Sequence, residues 1–187
     1  TMRRKILEGD IIKPEIERLI DSAVQSLTLV PAKNNKNFAE EFDALFPIGD
    51  EKIKAIGAEK KDKTRFETAK KSVYEFYTER ENDLEPENMR KVEREVYLQV
   101  LDTLWMQHLE NMQHLREGIH WRSVGQRDPL VEYRSESQKL FESLQNTLRD
   151  EVLRVIMHVH RRDITAVAPE DHETELTRLA ENAVEKG

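Results

Sequence analysis

The 187-residue sequence contains no cysteine, six glycines and six prolines, and only 6% aromatic residues. Without cysteine there is no disulfide, no thiolate metal site and no cysteine nucleophile. So few glycines and prolines cannot supply the many turns of a β-sandwich or barrel. Long apolar runs are missing too. Val152-Leu153 and Val155-Ile156-Met157 fall far short of the roughly 18 residues that a membrane span requires. The opening Thr1-Met2-Arg3-Arg4-Lys5 leads into mixed polar sequence rather than a signal peptide. Thr1 also starts in mid-pattern, as in a piece cut from a longer chain. These absences predict a soluble, cytoplasmic protein. None of the patterns G-x-G-x-x-G, G-x-x-x-x-G-K-[ST] or G-x-S-x-G occurs, so phosphate-loop and nucleophile-elbow chemistry have no local support and no catalytic residue is assigned.

What is present is charge. Charged residues make up 36% and hydrophobic residues 37%, against about a quarter and 45–50% in ordinary domains. That balance suits elongated helices with much solvated surface and predicts an all-α fold. The net charge of −7 makes the whole chain a poor polyanion binder.

Residues 1–83 read as a small helical domain of short pieces. Pro14 suits a first helical position, where its missing N–H costs nothing. Ile16, Leu19, Ile20, Ala23, Val24 and Leu27 then share a face, up to a stop before Pro31. Phe38, Phe42, Leu45 and Phe46 form a short helix ended by Pro47. Beyond the charged stretch 59–63, Phe66, Ala69, Val73 and Phe76 or Tyr77 form another stripe. Four of the six phenylalanines lie between 38 and 66, which predicts a domain closed on its own aromatic core. Residues 84–165 are long and regular, and 166–187 read as an acidic tail or linker.

In the regular region the spacing predicts two helices in an antiparallel hairpin. The first aligns Leu98, Leu101, Trp105, Met112, Leu115 and Ile119, with His108 in the one non-apolar slot. The second, opened by Asp128 as N-cap and Pro129 in the first turn, aligns Ser137, Phe141, Leu144, Leu148, Val152, Val155 and Val159. The seam therefore comprises Leu98, Leu101, Trp105, His108, Met112, Leu115, Phe141, Leu144, Leu148 and Val152. Trp105 is expected to be core and to meet the other arm near Leu148, and His108 to hydrogen-bond across the arms. Near the base of the first arm, Val96, Tyr97, Leu98, Val100, Leu101, Leu104, Trp105 and Leu109 cover roughly 220° of helix surface. Toward the tip, Met112, Leu115 and Ile119 cover roughly 60°, where a surface helix needs about 100°. The base should be clamped on more than one side, and the outer half should project.

His108, His114 and His120 are turned about 240° from one to the next and share no face, so no metal site is expected. The tip departs from the global charge: Arg116, His120, Arg122, Arg127, Arg134 and Lys139 surround the apolar Val124, against Glu117, Asp128, Glu132 and Glu136. Two readings follow from charge and shape alone. One is a basic-tipped hairpin that binds RNA, which the acidic remainder and the lack of interleaved aromatic and basic residues disfavour. The other is a purely structural coiled-coil scaffold.

The string Leu98-Gln99-Val100-Leu101-Asp102-Thr103-Leu104-Trp105-Met106-Gln107-His108-Leu109, then Leu115-Arg116-Glu117-Gly118-Ile119-His120-Trp121-Arg122 and Gly125-Gln126-Arg127-Asp128-Pro129, resembles the two-helix finger of the bacterial preprotein translocase motor family SecA. Residues 1–83 then take the place of that family's helical wing domain. The resemblance implies a fragment of a protein-export motor. Its fingertip, Arg122, Ser123, Val124, Gly125, Gln126 and Arg127, would contact the SecYEG channel and the translocating, unfolded preprotein. Its base would pack on a scaffold helix leading to motor domains of the same chain, whose ATP hydrolysis the hairpin helps restrain. Val124 stands where the family usually carries a bulky residue, often tyrosine, so an apolar but smaller apex is implied. It further implies that this fragment is no enzyme and needs no cofactor, while the parent uses ATP and Mg as a translocase. The parent would sit peripherally on the inner membrane, with a possible homodimer and no nucleic-acid partner.

Overall fold

A computed structural model of the chain describes residues 12–29, 37–122 and 128–159, with backbone alone at 120–122. The described residues are helical and contain no strand, as the composition predicts. Among the described residues six helices follow in order: α1 Ile12–Leu29, α2 Phe38–Leu45, α3 Asp50–Ala58, α4 Asp62–Leu84, α5 Pro86–Arg122 and α6 Pro129–His158. Residues 30–36 and the predicted acidic tail, 166–187, lie outside the described residues.

All but one of these helices follow from the sequence pattern. α1 buries Ile12, Ile16, Leu19, Ile20, Ala23 and Val24 on one stripe, which is the expected face. Ile12 and Lys13 already belong to the helix, so Pro14 is not its first residue as expected. In and after α2, Phe38, Phe42 and Phe46 stack at four-residue intervals, with ring centroids 5.6 and 5.5 Å apart. Gly49 turns the chain at φ 95°, a value that favours glycine. α3 has no counterpart in the sequence reading, because a helix with only Ile53 and Ile56 buried is too short to show a period. α4 buries Ala69, Val73 and Tyr77, and Phe66 and Phe76 pack at its margins.

The phenylalanines are not closed on themselves. A single buried cluster joins Ile12–Val24 of α1, Phe38, Phe42 and Phe46, Val73 and Tyr77 of α4, Met89 and Tyr97 of α5, and Val152, Leu153, Ile156 and Met157 of α6. The expectation of a separate aromatic core is thus corrected. Short helices cannot enclose three phenyl rings without a longer surface to lie on, and the base of the hairpin supplies it.

α5 and α6 run antiparallel. Val96 lines the same cavity as Val155, and Leu104 the same one as Thr147. At 37 and 30 residues they are about 55 and 45 Å long. Asp128 caps α6 as expected, its carboxylate accepting from the Leu130 N–H at 2.9 Å, with Pro129 in the first turn.

Candidate functional site

The hairpin changes character along its length. At its base, α1 and α4 cover one flank. Tyr97, Val152, Leu153, Ile156 and Met157 are buried there, and Leu98, Leu101 and Leu148 pack against the same cluster. Farther out, His108, Met112, Leu115 and Leu144 are half-buried, and beyond Leu101 and Leu148 no described residue of the arms belongs to the core cluster until α6 returns to the base.

Trp105 shows the change most clearly. It lines a groove of about 320 Å³ with Leu101, Phe141, Leu144 and Leu148, so it faces the other arm at the expected level. Yet it is 45% exposed, and Phe141 opposite is 46% exposed. The expectation of core burial is corrected: α1 reaches this groove with Glu15, Arg18, Leu19 and Ser22 but does not close over the indole. His108 lies between these rings, 5.5 Å from Trp105 and 6.1 Å edge-on to Phe141. The cross-arm contact seen is therefore aromatic rather than the hydrogen bond expected.

Among the described residues, the other flank of the base is open. Val96, Val100, Leu104 and Val155, with Gln99, Thr103, Thr147 and Glu151, line a groove of about 480 Å³. Among the described residues, the wide apolar stripe of the first arm is therefore clamped by α1 and α4 on one side.

At the far end Ile119 is buried in the seam, while Leu130 and Val131 at the start of α6 are exposed, 73% for Leu130. Arg116 and Arg134 are exposed, and Lys139 pairs with Glu136 at 2.8 Å. The predicted contact residues Ser123, Val124, Gly125, Gln126 and Arg127, and the side chain of Arg122, lie outside the described residues.

Three buried charged residues escaped the sequence reading. Arg65 is almost fully enclosed and donates to the Thr28 carbonyl through Nε at 3.0 Å and Nη2 at 2.6 Å, satisfying the C-terminal end of α1. Glu15 of α1 accepts from the Tyr97 hydroxyl at 3.1 Å and is held by Arg18 at 2.7 Å. Glu93 is fully buried and accepts from the Tyr77 hydroxyl at 2.5 Å and from Arg90 at 2.9 Å. Burial pushes the Glu93 carboxyl above its ordinary range, against the pull of Tyr77 and Arg90. Burial also acts upward on nearby Glu81, but Lys13 and Arg90 outweigh it and hold that carboxyl low. Each residue was marked by spacing: Arg65-Ala69-Val73-Tyr77, Glu15-Leu19 and Met89-Glu93-Tyr97 are four-residue rows in which a charge interrupts an apolar face.

No helix among the described residues is long and apolar enough to cross a membrane. The family model described as "SecA Wing and Scaffold domain" matches residues 1–160. The chain is 32% identical over 193 residues to protein translocase subunit SecA 1 of Streptomyces avermitilis, covering 94% of this chain and 20% of that protein. It is 35% identical over 192 residues to protein translocase subunit SecA of Bifidobacterium adolescentis (92% and 19%). To the protein of that name from Cutibacterium acnes it is 35% identical over 163 residues (81% and 17%). The chain thus spans about a fifth of the relatives it matches.

Proposed function

The chain belongs to the SecA wing and scaffold family, and from that premise we propose that it is the wing and finger part of a protein-export motor. The observation that carries this reading is the hairpin itself. Its sequence matches a translocase family, and its outer half extends beyond the shared core with apolar side chains uncovered. The hairpin acts as a stiff lever whose end, Arg122–Arg127, meets the SecYEG channel and the unfolded preprotein. Val124 offers a small apolar apex, and contact through apolar burial and dispersion demands no particular substrate sequence. Arg122 and Arg127 suit anionic loops of a channel partner.

The open groove of Val96, Val100, Leu104 and Val155 receives the scaffold helix of the parent, which completes the clamp that the apolar stripe calls for. The motor domains beyond it bind ATP and Mg and hydrolyse ATP under restraint from the hairpin, while this part carries no catalytic step. The parent works at the cytoplasmic face of the inner membrane as a peripheral protein. Exposure of Trp105 and Phe141 speaks against a coiled coil built only for support, whose seam would enclose them.

The test uses the intact translocase. A cysteine replacing Val124 should form a disulfide with a cysteine in a stalled preprotein. No such bond despite normal preprotein binding would overturn the reading. RNA binding at physiological salt that Arg122→Glu abolishes would favour the nucleic-acid reading instead.

A further inference from the structure

The chain turns from the wing into the hairpin at one residue. α4 ends at Leu84 and α5 begins at Pro86, and Glu85 between them sits at φ 68°. A side chain at positive φ is unfavourable and persists where its surroundings hold it. Leu84 and Met89, on either side, are buried.

Around this corner lies a connected set of polar and charged groups at the margin of the core, Tyr77 and Glu93 buried, Arg90 and Glu81 partly so and Lys13 more open to solvent. From α4, Tyr77 donates to Glu93 of α5 at 2.5 Å, and Glu81 receives Arg90 of α5 at 2.8 Å. Arg90 also reaches the Tyr77 hydroxyl at 3.0 Å and both oxygens of Glu93 at 2.9 and 2.7 Å. α1 closes the set, with Lys13 on Glu81 at 2.8 Å. One turn farther along α5, Tyr97 donates to Glu15 of α1 at 3.1 Å.

Apolar surfaces of similar volume repack with little penalty, so greasy contact alone leaves the angle between two helices loosely defined. The fully buried Glu93 carboxyl has no such freedom, because any slip leaves it without its Tyr77 and Arg90 partners. We propose that the Tyr77–Glu93–Arg90–Glu81–Lys13 cluster is an angle lock. It holds α4 and α5 in one orientation, so that wing and hairpin move as one rigid piece. Leverage makes this consequential: a rotation of about 10° at the corner moves the far end of the 37-residue α5 by about 10 Å. The purpose of the lock, carrying wing displacement to the fingertip or back, rests on the proposed function. Its existence does not, and the test needs no partner.

The chain has no cysteine, so spin labels can be placed at will. One pair joins exposed Glu67 on α4 to exposed Gln113 on α5, both changed to cysteine. A control pair joins Gln113 to exposed Gln138 across the hairpin. The chain with Tyr77 and Glu93 intact should give one narrow 67–113 distance distribution. Tyr77→Phe and Glu93→Gln should each broaden it or shift it by several ångström, leaving 113–138 unchanged. An unaltered 67–113 distribution in both folded variants overturns the lock. So does loss of overall helicity in Tyr77→Phe, which would make the cluster a stability element instead.

Discussion

The two halves of one hairpin are held by different means. At the base, α5 and α6 lie in a core shared with α1, α2 and α4, and Tyr97, Val152, Leu153 and Ile156 are buried. Farther out, past the groove that α1 reaches, each helix has among the described residues only the other, and Trp105 and Phe141 on that groove's edge remain about half exposed. Both halves carry apolar residues at the same helical period. Period alone reports that a face is apolar, and the number of neighbours decides how much of it leaves water.

That contrast predicts a graded response to substitution. The largest effect belongs to Phe42, fully buried between two other rings. Phe42→Ala should cost about 3–5 kcal/mol and, because the core is shared, wing and hairpin base should unfold in one transition by urea. Two separate transitions would break the picture of a shared core. Next, Arg65→Met keeps the stem but strips the donors from the Thr28 carbonyl, and should cost about 1–3 kcal/mol by the same measurement.

A third prediction concerns pH. Burial raises the Glu93 carboxyl above its ordinary value of 4.5, so the folded chain holds that proton more tightly than the unfolded one. Its contribution to stability is therefore greatest below the ordinary glutamate range and declines as pH rises through 4.5 toward the raised value. Glu93→Gln does not titrate. Stability of the variant minus that of the parent chain should grow with pH across this window, and a flat difference would show that burial does not perturb the group. The smallest effect belongs to the outer half. Phe141→Ala, at a half-exposed site, should cost about 1 kcal/mol, while Trp105 fluorescence shifts as its groove loses a wall. A loss comparable to that of Phe42→Ala would mean that the outer arms are as tightly held as the base.

Much of this was legible in the residues. The 3,4 spacing of Leu98, Leu101 and Trp105 against Phe141, Leu144 and Leu148 located both arms and their register, and Asp128-Pro129 located the start of the second. The stripes of α1 and α4 were equally plain. What escaped notice was either too short to show a period, as α3, or hidden by chemistry. A glutamate in a row with Met89 and Tyr97 looks like solvated surface until Tyr77 and Arg90 are seen to meet it. Those partners stand 16 and 3 residues away, and the longer separation is set by folding alone.

Helical class, the hairpin and membership of a translocase family were therefore written in the order of residues, because period, caps and motifs are local properties of a chain. Which side of the base is covered, how far Trp105 is uncovered and which charges are enclosed were decided only by the tertiary structure. Burial depends on what arrives from distant parts of the chain, and no local pattern carries that information.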